Sequence, residues 1–157
     1  MLSLDIRFGS PDERAALEDL QRQASLVWPD YRDALLTHPD AIHLPPAQLD
    51  ERRVRVAESD LEVVGFSVVL LPVARIAEVD GLFVKPSCWG RGIGRALMVD
   101  AMAIARAEGA LALEVTANPR AEGFYTKCGF IRTGSASTRF GPALRMRCTV
   151  AESVQPL

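Results

Sequence analysis

Cysteine, histidine, aromatic residues and long apolar runs are all scarce in this sequence, and each scarcity narrows what the chain can be. Three cysteines occur in 157 residues: Cys88, Cys128 and Cys148. They form neither a CxxC pair nor an even framework, so they read as reduced thiols and not as a disulfide scaffold. The two histidines, His38 and His43, lie five residues apart with no cysteine near them, so no metal is expected. The longest apolar stretch, Ser67–Val73, falls far short of the ~20 residues a membrane helix needs. The opening residues carry charge at Asp5 and Arg7 and lack the apolar run of a signal peptide. A cytoplasmic protein without membrane contact is the expectation. Net charge is −2 with no Lys/Arg block, so the electrostatic footprint of a nucleic-acid binder is missing.

What is present is an ordinary globular balance, 48% hydrophobic and 24% charged residues, with no internal repeat and no low-complexity linker. A single domain over residues 1–157 is expected, able to bury roughly 70% of its unfolded surface. A first strand at Leu4–Phe8 precedes Ser10-Pro11-Asp12-Glu13, a capping box with proline at the first helical position. Leu17, Leu20, Ala24 and Val27 follow at helical spacing, and a second helical piece is expected over Pro29–Thr37. The three prolines in His38–Pro46 predict irregular chain there. The period then changes to alternation in Arg53–Glu58, Leu61–Leu71 and Ala74–Val84, which reads as an antiparallel meander with a tight turn at Glu58-Ser59-Asp60. Ile93, Leu97, Ala101, Ile104 and Ala105 mark a long amphipathic helix that Gly109 should end. Leu111–Ala117 reads as a strand, Ala121–Cys128 as a short helix closed by Gly129, and Phe130–Ser135 and Leu144–Val150 as final strands. The strand–helix–strand passage between Leu82 and Val115 implies a right-handed crossover, hence two parallel neighbours. The expected fold is α/β: a mixed, mostly antiparallel sheet of six to seven strands with helices on both faces.

The most informative segment is Val84-Lys85-Pro86-Ser87-Cys88-Trp89-Gly90-Arg91-Gly92-Ile93-Gly94-Arg95. A strand ends, glycines recur at every second residue, and the long helix begins. Glycine permits backbone conformations and close approaches that a Cβ blocks. The unpaired amides and positive dipole end of a helix start then form an anion site, with Arg91 and Arg95 able to add charged contacts. The dinucleotide fingerprint GxGxxG fails, because the third glycine position holds Leu97, which disfavours a nicotinamide-dependent enzyme. The GxxxxGK phosphate loop is absent. A purely structural glycine turn stays open on the glycines alone.

The segment resembles the acyl-CoA signature of the GNAT family of N-acetyltransferases, Gln/Arg-x-x-Gly-x-Gly/Ala, and a second family hallmark follows at Asn118-Pro119-Arg120-Ala121-Glu122-Gly123-Phe124-Tyr125-Thr126-Lys127-Cys128-Gly129-Phe130. The two blocks occur in order, separated by one helix and one strand, and the resemblance covers residues 53–150 well. Trp89 departs from the pattern, standing where Gln or Arg is usual. The resemblance implies a cofactor-binding core over 51–150 and an acceptor side over 1–50, with acetyl-CoA as acyl donor and no metal. It implies that pantetheine pairs with the backbone of Leu82, Phe83 and Val84, as a ligand added to a strand. The diphosphate would sit on amides of Gly90, Arg91, Gly92, Ile93, Gly94 and Arg95, and the thioester carbonyl near the Phe83–Val84 amides. A homodimer paired through the C-terminal strands is a further implication.

The acceptor would be a small-molecule or peptide amine attacking directly. A lysine-like amine must lose a proton at a cost of roughly 4.6 kcal/mol at pH 7, a peptide α-amine only about 1 kcal/mol, so the need for a base depends on the acceptor. Glu78 matches the strand glutamate that serves some family members as base, with Asp80 or water as alternatives; a merely solvated strand position is the other reading. Tyr125 matches the family's acid for the departing thiolate, against a core-packing reading beside Phe124 and Cys128. Asn118 matches a pantetheine-binding residue, or is a turn former before Pro119. No acyl-cysteine at Cys128 is expected. Trp28, Tyr31, Arg32, His38 and Phe140 are placed on the acceptor side, where they line a pocket or close the core. These side chains do not name the acceptor, and a non-catalytic acyl-CoA-binding sensor is the alternative function.

Overall fold

A computed structural model describes residues 3–150. Alternating apolar positions drive seven strands: β1 (Asp5–Phe8), β2 (Val54–Ser59), β3 (Glu62–Val69), β4 (Ile76–Val84), β5 (Ala112–Ala117), β6 (Ile131–Thr138) and β7 (Gly141–Thr149). They form one sheet in the order β1-β2-β3-β4-β5-β7-β6. Every pairing is antiparallel except β4–β5, as the crossover requires. The connecting helix is α4 (Ile93–Ala107), which ends where Gly109 enters the left-handed region at φ +87°.

Two layers of helix cover the sheet. On one side α4 and the short α5 (Glu122–Lys127) bury Met98, Ala101, Ala105 and Tyr125 against Ala77, Val79, Leu113, Val115 and Met146. On the other, α1 (Arg14–Leu26) lays Leu17 and Leu20 on Val54, Val56, Phe66 and Val68, with Leu44 and Leu49. Each fully buried large side chain of this kind contributes about 1.5–3 kcal/mol of transfer free energy. The capping box at Ser10 and Glu13 opens the first helical turn, and Glu13 also pairs with Arg7 at 2.9 Å.

After a break at Trp28, where Pro29 takes the first helical position, α2 runs Pro29–Thr37 as the sequence predicts. The segment expected to be irregular, His38–Pro46, holds one 3-10 turn at Pro39–Ala41, and a further short helix, α3 (Pro46–Asp50), begins at its last residue with that proline at N1. The first hairpin turn lies one residue later than expected, with Asp60 and Leu61 both at positive φ. Strand β7 begins at Gly141 and includes Pro142, three residues before the expected start at Leu144. Among the described residues no helix is long and apolar enough to cross a membrane.

Candidate active site

The site begins at an irregularity in β4. Val68 pairs with Gly81 and Val69 with Val79, so Asp80 is an extra residue in the ladder, a β-bulge. A bulge bends and twists its strand. β4 accordingly stays paired with β5 only from Ile76↔Ala112 to Val79↔Val115. Beyond that point it remains on β3 up to Val84, while β5 continues on β7 to Ala117. The two parallel strands splay, and residues 80–84 have no partner on the opened side. The Lys85 amide donates to Val64 O at 2.8 Å, so by ladder alternation the main chain of Phe83 faces β3 and that of Leu82 and Val84 faces the opening. Phe83 therefore departs from the expected trio: its polar groups serve the sheet, and its ring packs on Phe66 with centroids 5.3 Å apart.

Past Val84 the chain makes a single 3-10 turn at Pro86–Cys88 and enters the glycine turn. Gly90 and Gly92 hold φ of +81° and +83°, conformations that cost an L-residue roughly 1–2 kcal/mol. The result is a row of free donors. The Ala96 amide is the first to find a helical acceptor, Gly92 O at 3.0 Å; the amides from Gly90 to Arg95 have no hydrogen bond within the described residues. They stand at the positive end of a 15-residue helix. Arg91 and Arg95 are exposed beside them, Arg95 also donating to Lys127 O at 3.3 Å. Gly94 has a different reason to lack a side chain: a Cβ there would lie 3.2 Å from the Phe124 ring.

Trp89 finds two partners inside the protein. Its Nε1 donates to Val84 O at 2.7 Å, and its ring packs on Trp28 with centroids 5.9 Å apart. One of the carbonyls facing the splay is thereby occupied.

Helix α5 buries Tyr125 in the core formed with β5 and β7. It is 7% exposed and wedged edge-on between Phe124 and Phe130, at 5.1 and 5.5 Å. Burial holds its hydroxyl well above the ordinary tyrosine range, so it is a neutral donor at any physiological pH. Asn118, at the end of β5, accepts from the Arg120 amide at 2.9 Å through Oδ1, while its Nδ2 is buried without a partner. An orphaned buried donor of this kind costs about 1–3 kcal/mol and fits a ligand carbonyl beside it. Burial also raises the Cys128 thiol, keeping it protonated at neutral pH and a poor nucleophile.

On the α1–α2 side, Asp30, Tyr31, Asn118, Pro119, Phe140 and Pro142 line a cavity of about 370 Å³. Of the side chains placed there from sequence, Tyr31 and Phe140 line it and stack at 5.6 Å. Arg32 is exposed and donates to Leu26 O at 3.2 Å, and His38 is exposed at the end of α2. Glu78 is not among the cavity's lining residues. It lies where the strands still pair, opposite Glu114, four residues and about 13 Å along the strand before Leu82. Partial desolvation first, and then the neighbouring Asp80 charge, raise its carboxyl above the usual range. Asp80 itself accepts from Gln48 at 3.1 Å. Among the described residues no cluster of three potential metal ligands occurs. The sequence reading missed the bulge at Asp80, for which Gly81 inside a strand was an available signal.

The splayed parallel pair and the amide-lined turn at a helix start are set in a single α/β sheet with helices on both faces. The PaiA N-acetyltransferase of Thermoplasma acidophilum, solved with coenzyme A, superposes with a TM-score of 0.76 at 19% identity over 94% of this chain and 99% of that one. The ribosomal-protein-S18-alanine N-acetyltransferase of Escherichia coli gives 0.71 at 16% identity, covering 99% of both. At such identities the likeness is one of fold. A sequence profile described as the acetyltransferase (GNAT) family matches residues 15–130, and the chain belongs to that family. An uncharacterized N-acetyltransferase of Mycobacterium tuberculosis is 32% identical over 93 residues, which is 57% of this chain and 60% of that protein.

Proposed function

We propose that this protein transfers an acetyl group from acetyl-CoA directly to a primary amine. The observation that carries the reading is the continuity of two unsatisfied main-chain surfaces: the opened edge of β4 and the amides from Gly90 to Arg95. A ligand bearing amides along one stretch and a diphosphate at its end satisfies both, and coenzyme A is such a ligand. Leu82 offers an amide and a carbonyl to the pantetheine arm, and Val84 an amide, since Trp89 holds its carbonyl. Asn118 Nδ2 supplies a donor from the opposite strand. Gly90, Arg91, Gly92, Ile93, Gly94 and Arg95 hold the diphosphate. Several neighbours of this fold were solved with coenzyme A or acetyl-CoA, which agrees with the reading.

Acetyl-CoA brings an acyl group already activated as a thioester. The residues of the chain then act on charge. A β4 amide facing the opening polarises the carbonyl as the amine nitrogen attacks its carbon. When the carbon–sulfur bond breaks, Tyr125 donates its proton to the thiolate. A free thiol titrates near 8.5 and tyrosine near 10, so donation is uphill in water. Burial raises both groups in the same dry cleft, which keeps the mismatch modest. The proton released by the amine passes through water toward Glu78, whose raised pKa suits a base. In this division of labour residues 51–150 hold the donor, and residues 1–50 shape the acceptor side together with Pro119, Phe140 and Pro142.

Trp89 motivates one alternative, a binding module that senses acyl-CoA without turning it over. Calorimetric titration with coenzyme A and thiol release from acetyl-CoA over an amine panel separate the two. Binding with turnover supports transfer, binding without turnover supports the sensor, and no binding rejects both.

A further inference from the structure

The acceptor cavity carries more information than its volume. Its roof is the four-residue segment Trp28-Pro29-Asp30-Tyr31 at the start of α2. That segment is fastened at three points, each to a different element around the splay. Trp28 packs on Trp89 of the glycine turn at 5.9 Å. Asp30 pairs with Arg120, just past β5, at 2.8 Å. Tyr31 stacks on Phe140, at the β6–β7 hairpin tip, at 5.6 Å. Of this segment Asp30 and Tyr31 line the cavity, an open cleft of about 370 Å³, near the lower bound of small-molecule pockets.

The lining also selects a chemistry. A peptide acceptor is held largely through its main chain, which needs donors and acceptors along an extended wall. Here two of the six lining residues are Pro119 and Pro142, which have no N–H, and two more present aromatic faces. The Asn118 amide and the Tyr31 hydroxyl are the neutral polar groups of the lining, and in the proposed reaction Asn118 serves the donor. Asp30 adds a carboxylate, kept ionised by Arg120, at the rim where an ammonium group would enter. Aromatic faces attract the same cation.

Resting on the acetyl-transfer reading, we propose that the acceptor is a compact primary amine with an apolar body, seated against the Tyr31–Phe140 ring pair, and not an amine on a peptide chain. The neutral amine nitrogen forms the new bond to the acetyl carbon as the carbon–sulfur bond breaks, the thiolate takes the proton of Tyr125, the proton lost by the nitrogen passes through water toward Glu78, and Tyr125 is reprotonated from water.

The test uses the full chain with acetyl-CoA, following thiol release for 2-phenylethylamine, isoamylamine, a polycationic aminoglycoside, and short peptides carrying one free α-amine or one lysine. The two compact amines are expected to exceed every other acceptor in kcat/KM by at least about tenfold, a gap worth one well-packed aromatic contact. Phe140→Ala should raise the KM for 2-phenylethylamine about tenfold while leaving the KM for acetyl-CoA within about twofold. Tyr31→Leu, which keeps bulk and loses the ring pair, should shift the same constant in the same direction. Preferred turnover of a peptide or aminoglycoside overturns the inference and leaves acetyl transfer standing. So does an equal loss for every acceptor in both variants, or no turnover of any amine while coenzyme A still binds. Calorimetry showing no coenzyme A binding overturns the underlying reading instead.

Discussion

Gly92→Ala separates a phosphate-binding turn from a merely structural one. Gly92 sits at φ +83° immediately before α4, and a Cβ added there meets no atom within 4 Å. The substitution therefore creates no clash, and its cost to folding is the left-handed strain alone, roughly 1–2 kcal/mol. For a chain of this size that lowers Tm by about 2–8 °C. The effect on coenzyme A should be much larger. The added methyl stands beside the free amides, and any relaxation out of the left-handed region re-aims the Ile93 and Gly94 N–H groups. Losing two charge-assisted hydrogen bonds, at about 1.5 kcal/mol or more each, weakens binding by ~100-fold or more. Gly109→Ala is the matched control. Its φ is +87°, its surroundings are equally empty, and it lies at the far end of the same helix. Thermal melts should show similar losses for the two variants, whereas titration calorimetry should find coenzyme A affinity unchanged in Gly109→Ala. If Gly92→Ala binds coenzyme A within about threefold of the parent, the amides do not hold the diphosphate and the residue roles built on them fall.

Three further outcomes test other parts of the site. Tyr125→Phe should lower kcat by roughly 10- to 100-fold with coenzyme A affinity unchanged, because the hydroxyl acts only as the thiolate leaves; unaltered turnover would return Tyr125 to core packing. A base acts only when ionised, so the raised pKa of Glu78 places the acidic limb of kcat/KM above the ordinary carboxylate range, with activity lost as pH falls through it. Glu78→Gln should abolish that limb, and a pH–rate profile that keeps both limb and rate would move the proton to Asp80 or water. Asp100→Ala leaves Arg55, only 14% exposed, without the two 2.9 Å contacts that bind β2 to α4. A cost of about 1–3 kcal/mol and a Tm loss of roughly 2–10 °C follow, with KM values unchanged.

Local chemistry made much of this molecule legible in advance. Proline at N1 set the start of α2, the αL glycines at 109 and 129 ended α4 and α5, and the alternation of β2 and β3 put them in one meander. These features act within a few residues, and one sequence displays them. The glycine turn was legible for the same reason, since its every-second-residue spacing is itself the device. Helix α3 was missed because five residues opened by Pro46 offer no period to detect. Trp28, Tyr31 and Phe140 are legible as acceptor-side residues, but the contacts that fasten the cavity's roof are not, for a deeper reason. Trp28 meets Trp89 and Asp30 meets Arg120 across 61 and 90 positions of chain, and nothing in either neighbourhood announces the other. Phe83 shows the limit of carrying a motif residue by residue: the strand was identified correctly, but which of its main-chain groups face outward depends on the β3 register.

That register also explains why the site exists at all. An ideal β4 would stay paired with β5 along its whole length, and no ligand could enter between them. The extra residue at Asp80 bends β4 just where Gly81 relieves crowding by Phe83, whose ring would come within 2.8 Å of a Cβ. The opened edge then holds unpaired main-chain groups inside the domain, between α5 and the roof segment, where each costs the fold about 1–3 kcal/mol if left dry and unsatisfied. Exposed sheet edges invite pairing with any passing strand. This one is recessed, so only a slender ligand with its own amides can reach it. The same bulge therefore lowers the intrinsic stability of the sheet and creates its affinity. Binding of coenzyme A should accordingly raise Tm, by mass action alone about 2.7 kcal/mol at a hundredfold excess over Kd. Re-aiming the turn's amides by Gly92→Ala should cut that ligand-induced shift to about 0.4 kcal/mol at the same coenzyme A concentration while leaving the bulge in place.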